Sequence, residues 1–356
     1  MSGFKTRHYV ITVAEGICGR ISLFTDFGVS AFFSRTRLGY TGEWMNPDLP
    51  FLLAAQIAAF FIMIFMGFVS VRTGIIGTEE TKGLTRMLMY VITPCVILMS
   101  YQTEYSSSVA GGLVLAFLAA VLVHVILIAG VKLAGRFLKL SNVERASIIY
   151  TNSGNLTVPL VMSVLGTKAV MYASTFLAVQ TILVWTHCFA LIKGTSGFSW
   201  KKMMSNVNTI AIILGIICFF AEIRITGPLE TAFTGMGKTI GPLAMFSIGI
   251  MLGSSRVTDI FRIRNFMVSA MRLLLFPVIP VLLFALWPEG LLSDDSRLVF
   301  TTVLLATAAP SAVIVSQMAL ITNQDYRSAS GVNIITDFLC IFTIPFIIWI
   351  YIIISD

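Results

Sequence analysis

The chain has little charge to spend. Only 12% of its 356 residues are Asp, Glu, Lys or Arg, 57% are hydrophobic, and the mean hydropathy is +0.91. A soluble domain carries about 25% charged residues, so an ordinary water-soluble enzyme or binding module is excluded. Histidine is scarce, three in all. The five cysteines (Cys18, Cys95, Cys188, Cys218 and Cys340) stand apart with no CxxC pair. They read as packing residues rather than a metal centre or disulfide framework. No Ser/His/Asp set, Walker motif or Gly-rich nucleotide loop is present, which argues against an enzyme and an ATP-driven pump, and no cofactor is expected. The net charge of +7 does not point to nucleic acid, because Lys and Arg sit in short loops rather than along an aromatic-interleaved face.

What is abundant is long apolar runs. About 20 apolar residues cross the hydrocarbon of a bilayer as a helix. Ten such spans are expected, at 50–71, 81–101, 109–138, 145–166, 168–193, 206–223, 228–253, 264–287, 297–320 and 327–354. The fold class is therefore an all-α polytopic membrane protein. Loops after the odd-numbered spans, with the adjoining helix ends, hold fourteen Lys and Arg, Lys201 and Lys202 among them. The alternate loops hold Lys168, Arg224 and Arg297. The excess marks the cytoplasmic face and puts both ends of the ten-helix unit outside, the orientation expected of this multi-pass membrane protein. Residues 1–49 have no run long enough to span and carry Arg and Lys on the wrong side for this scheme. They read as an N-terminal extension, with Met45 an alternative start. The rest divides into a first five-helix half at 50–193, a cytoplasmic connector at 194–205 and a second half at 206–354.

Prolines organise the two halves. Pro94 in span two and Pro159 in span four are 65 residues apart; Pro242 in span seven and Pro310 in span nine are 68 apart. Five helices per half is odd, so corresponding halves enter from opposite sides and form an inverted repeat. Proline removes a backbone hydrogen bond, so spans four and nine are expected to break at Pro159 and Pro310 and to cross near the midplane. Their second half-helices would then present amides of 160–162 and 311–313 to the gap, a setting that favours a carboxylate. Asn152, Ser153, Asn155, Thr157 and Ser311 add neutral hydrogen-bonding groups, and Gln180 and Gln317 are further candidates either to line the cavity or to bond between helices. Asp337, midway along span ten, with Asn333 one turn earlier, is a candidate coupling site for H+ or Na+, or else a protonated acid bonded to hydroxyls. Lys238 is expected to snorkel to the outer surface or to pair within the bundle, with a countercharge for the anion as the alternative, Arg272 to reach the cytoplasmic interface, and His124 and His187 to be core groups.

The segments FMGFVSVRTGII, YVITPCVIL, TNSGNLTVPLVMSVLG, GPLAMFSIGIMLG, ATAAPSAVIVSQMAL and FTIPFIIWIY, in this order over residues 50–354, resemble the auxin efflux carrier family, which includes bacterial malate and malonate permeases. The resemblance implies ten helices in two inverted five-helix repeats, crossing helices four and nine, a transport domain moving against a homodimeric scaffold, and a small organic anion as substrate. Thr157 stands where bacterial members often have glycine, and Asp337 where a small hydroxyl residue is usual. A bile-acid-type sodium-coupled carrier and a transport-dead ligand receptor are the rival readings.

Overall fold

The computed structural model describes residues 49–77, 83–84, 86–194, 205–254, 262–287 and 295–355. The chain divides into two units, residues 1–44 and 45–356. The N-terminal extension, Met45, most of the 194–205 connector and Lys201 and Lys202 lie outside the described residues.

Fifteen α-helices follow in order among those residues. They are α1 (Leu49–Arg72), α2 (Thr93–Ser100), α3 (Ser107–Phe137), α4 (Asn142–Ile149), α5 (Val158–Val164), α6 (Thr167–Leu183) and α7 (Phe189–Lys193) in the first half. The second half has α8 (Val207–Phe220), α9 (Pro228–Lys238), α10 (Ile240–Ser254), α11 (Ile263–Ala270), α12 (Phe276–Ala285), α13 (Ser296–Ala308), α14 (Val313–Ile321) and α15 (Tyr326–Ser355). Among the described residues, four continuous helical stretches meet length and hydropathy criteria for crossing a membrane: Ser107–Phe137, Thr167–Lys193, Ile263–Ala285 and Tyr326–Ser355. They match expected spans three, five, eight and ten. The apolar α1 runs unbroken for 24 residues where span one is expected, and the other apolar segments are shorter or built from pieces, so the chain is a multi-pass membrane protein with several interrupted crossings.

Single wide turns explain how prolines are accommodated. π-turns at Leu88–Ile92, Ser153–Thr157 and Met271–Leu275 each end two residues before a proline, at Pro94, Pro159 and Pro277. Their i→i+5 bonds, such as Val158 N–H to the Ser153 carbonyl, let the ring clear the preceding turn without ending the helix. This corrects the sequence expectation for span four. The helix continues through Pro159, and the break lies at Tyr150–Asn152. Pro310, by contrast, sits inside the unwound link of span nine, between α13 and α14. The two prolines therefore do not occupy equivalent positions.

Helices α3, α6, α11–α12 and α15 surround the two broken spans, while α1 packs along α10 and α2 along α8. In lipid, close helix approach depends on small residues, because apolar side chains gain nothing by leaving the hydrocarbon. The α1–α10 contact follows that rule. A Cβ on Gly249 would lie 1.9 Å from the Ile64 carbonyl oxygen, and one on Gly67 would lie 2.2 Å from that of Phe246. Backbone meets backbone at both points. Gly249→Ala is expected to force α1 and α10 apart and to destabilise the detergent-solubilised protein by about 1–3 kcal/mol. Gly111→Ala, where a Cβ has open space within 4 Å, should not lower stability. Thermal unfolding followed by tryptophan fluorescence or light scattering compares the two.

Candidate functional site

The broken spans meet through their backbones. An antiparallel bridge joins Thr151 to Ser311. Asn152 N–H donates to the Pro310 carbonyl at 2.8 Å, and Ala312 N–H to the Tyr150 carbonyl at 3.0 Å. Unwound backbone deep in a bilayer survives only if its polar groups find partners. Here Gln180 on α6 acts as a surrogate peptide: its Oε1 accepts from Thr151 N–H (2.9 Å) and Oγ1 (3.0 Å), and its Nε2 donates to the Thr151 carbonyl (2.8 Å) and Ser153 Oγ (2.9 Å). Ser311 N–H donates to Thr336 Oγ1 on α15 at 3.1 Å. The extended segment is thus held from both flanking long helices.

Four helix ends converge at this crossing, two of each polarity. The carboxyl ends of α4 and α13 carry partial negative charge, and the amino ends of the half-helices that begin at Ser153 and Val313 carry partial positive charge. Arg272, fully buried on the π-turn between α11 and α12, serves the negative ends. Its guanidinium donates to the Ile148 carbonyl (3.1 Å), the Thr307 carbonyl and the Ala309 carbonyl (2.8 Å). The positive ends have no such partner. Neither Asn152 nor Ala312, at the two N-cap positions, makes a side-chain cap. One pair of ends is served by the Arg272 guanidinium, and the other has no side-chain cap.

Open hydrogen-bonding groups collect in the same place. Asn152 Nδ2, Thr157 Oγ1 and Ser311 Oγ are buried without a partner, and so are Asn333 Oδ1 and Asp337 Oδ1 on the facing α15. Such atoms are costly unless a ligand or water serves them. The Asn152 side chain lies within interaction range of the Asp337 carboxyl. Asn155 is half-buried in the same π-turn, next to the buried Ser153. Pro159 is buried one turn further along α5, and Pro310 contributes its carbonyl to the bridge.

Two sequence candidates have other places. Gln180 is committed to the Thr151 and Ser153 bonds, and Gln317 is exposed on α14, outside the cluster. Lys238 is exposed at the end of α9. His187 Nδ1 pairs with the Tyr150 hydroxyl at 2.7 Å, and His124 uses Nδ1 on the Ala120 carbonyl at 2.7 Å while packing on Phe176. The residue that sequence reasoning misplaced is Arg272, expected at the cytoplasmic surface. Its signal was depth: eight residues, or about 12 Å, beyond Arg264 at the start of the span is too far for a side chain to return to water.

The outer ends of the first half-helices are tied as well. Glu144, in a capping box with Ser141 at the start of α4, accepts from Arg264 Nε at 2.6 Å. Asp295, at the start of α13, receives Lys168 Nζ at 2.6 Å and Ser108 Oγ at 3.0 Å. Each first half-helix therefore has an acid at its positive end and Arg272 at its negative end.

Arg272→Leu leaves three buried carbonyls without their donor and is expected to cost about 3–5 kcal/mol. Arg272→Lys keeps the charge but loses the planar fork, and should fall between wild type and Leu. Thermal unfolding in detergent gives the order directly.

A family model described as membrane transport protein matches residues 52–348. No curated protein matches the chain. The match covers both broken spans and every residue of the crossing, and with the six segments noted above it shows that the chain belongs to the membrane transport protein family of auxin efflux carriers, and is a membrane transporter.

Proposed function

We propose that the protein is a secondary active transporter of small organic anions, mono- or dicarboxylates such as malate or malonate, working by alternating access. One observation carries this reading: Arg272 caps the two negative helix ends at the crossing and leaves the two positive ends open beside the unpartnered Asn152, Thr157 and Ser311 groups. A carboxylate would accept from those amides and hydroxyls without meeting a competing side-chain cap. Asn152, Ser153, Asn155, Thr157 and Ser311 are the proposed substrate-binding residues, with Pro159 and Pro310 shaping the two strands. Gln180 is a positioning residue in this scheme.

Ten crossings in two inverted five-helix repeats give the arrangement its two faces. The reciprocal packing of α1 on α10 and of α8 on α2 supports the repeat, because each first-half helix meets the counterpart of the other. The unit formed by the broken spans with α3, α6, α11–α12 and α15 would move as one body against a scaffold of α1, α2, α8, α9 and α10, itself a homodimer contact. The chain lies in a bacterial inner membrane with both ends of the ten-helix unit outside, and uphill flux draws on an ion gradient or on exchange.

Purified protein in proteoliposomes should take up labelled malate or malonate saturably. Asn152→Ala should reduce that flux by about tenfold or more, the loss of a hydrogen bond to a charged group. Tight binding without flux would identify a receptor instead. Uptake indifferent to Asn152→Ala would remove the crossing as the site.

A further inference from the structure

A carboxyl group beside an anion-binding crossing is an apparent contradiction. Asp337 stands on α15 with Oδ1 enclosed and unpartnered, next to the Asn152 side chain. As a carboxylate it would repel the anion that the open helix ends attract, and would hold the Asn152 amide for itself. Among the described residues its surroundings offer no compensating cation. The groups in electrostatic range are the Asn152 amide and the Cys340 thiol.

The elements packed on α15 confirm this. Helices α12 and α14 have no charged side chain. On α11 and α4, Arg264 and Glu144 pair with each other, and Arg145 is turned to the Gly135 carbonyl. Arg272, on the π-turn, is committed to three carbonyls. Arg72 ends α1 against Phe68, and Arg297 begins α13, where its field falls on Tyr351. Within α15, Arg327 lies ten residues from Asp337, about 15 Å along the helix.

Asn333, one turn before Asp337, sharpens the point. Ser316 Oγ donates to the Val313 carbonyl at 2.8 Å, so toward Asn333 it can only accept, and Asn333 Nδ2 donates to it at 3.3 Å. The amide orientation is thereby fixed, and Asn333 Oδ1 is left as a second buried acceptor without a donor. Two orphan acceptors one turn apart on one helix face lack only a proton. Placed on Asp337, it turns the carboxyl into a donor toward Asn333 Oδ1, removes the repulsion and frees Asn152 Nδ2 for the substrate.

Resting on the reading of the crossing as an anion site, we propose that Asp337 is the coupling group of this transporter, taking up one proton from solution as the organic anion binds and returning it as the anion leaves, so that anion and proton cross together. Asn333 is the positioning residue that accepts the proton's hydrogen bond.

Malonate binding to the purified full-length protein, measured calorimetrically across a pH range in which malonate's own charge is constant, tests this. Wild type should take up about one proton per anion, seen with a pH indicator in weak buffer, and its apparent Kd should rise about tenfold per pH unit above the carboxyl's midpoint. Asp337→Asn and Asp337→Ser should each bind with pH-independent affinity and no proton uptake, and in proteoliposomes should still exchange malonate while an imposed proton gradient no longer drives accumulation. Proton uptake that persists in both variants, or pH-independent binding by wild type, overturns the coupling role. Binding that requires sodium, and loses that requirement in Asp337→Asn, overturns the proton in favour of a metal cation. Failure of wild type and both variants to bind malonate, malate or any small carboxylate overturns the anion site itself and the coupling role with it.

Discussion

Three carbonyls and one guanidinium hold the centre of this molecule. Two spans stop being helical at the same depth, and each stop leaves carbonyls that water cannot reach. Arg272 answers Ile148, Thr307 and Ala309 at once, which fixes α4 and α13 against each other through a side chain from a third span. A buried cation is expensive, and in an apolar bundle an unpaired one is rarely tolerated. Here the negative ends of two helices stand in for a carboxylate. The cost is offset only while both ends remain in place, so the arrangement is cooperative by construction.

The electrostatic character of the crossing follows from that single choice. With the negative ends neutralised, the positive ends are the uncompensated feature, and the backbone bridge between Thr151 and Ser311 keeps them at one depth. Gln180 on α6 and Thr336 on α15 brace the unwound strands, so their backbone groups are held in place by side chains of two other spans. The acids at the far ends, Glu144 and Asp295, complete the same logic. Each anchors the start of a first half-helix to its neighbours. The tight glycine contact of α1 and α10 involves none of these charged groups.

Much of this was legible in the sequence, for physical reasons. Spans three, five, eight and ten are uninterrupted apolar runs, and their ends fall within three residues of expectation, because length and hydropathy alone set them. The crossing itself was legible from Pro159 and Pro310 in two antiparallel spans, with Asn152, Asn155, Thr157 and Ser311 as the polar groups beside them. The break in span four was misplaced because proline was taken as the breaker. A π-turn absorbed Pro159, while Gln180, 29 residues away, supplied the partners that let Thr151 unwind. No local rule shows such a partner. Gln180 and Gln317 look alike in sequence, yet one is locked into the crossing and the other faces outward. Arg272 was misread as snorkelling because its partners are backbone carbonyls, which leave no pattern of complementary charge.

The central claim is that the crossing selects for negative charge. Competition at the purified protein between malonate and malonamide, its neutral counterpart of similar size, tests it most directly. The account predicts that malonamide at a hundredfold excess, roughly the discrimination expected of charge-assisted hydrogen bonds at two or more positions, leaves malonate bound. Displacement of malonate by malonamide at comparable concentration would contradict it.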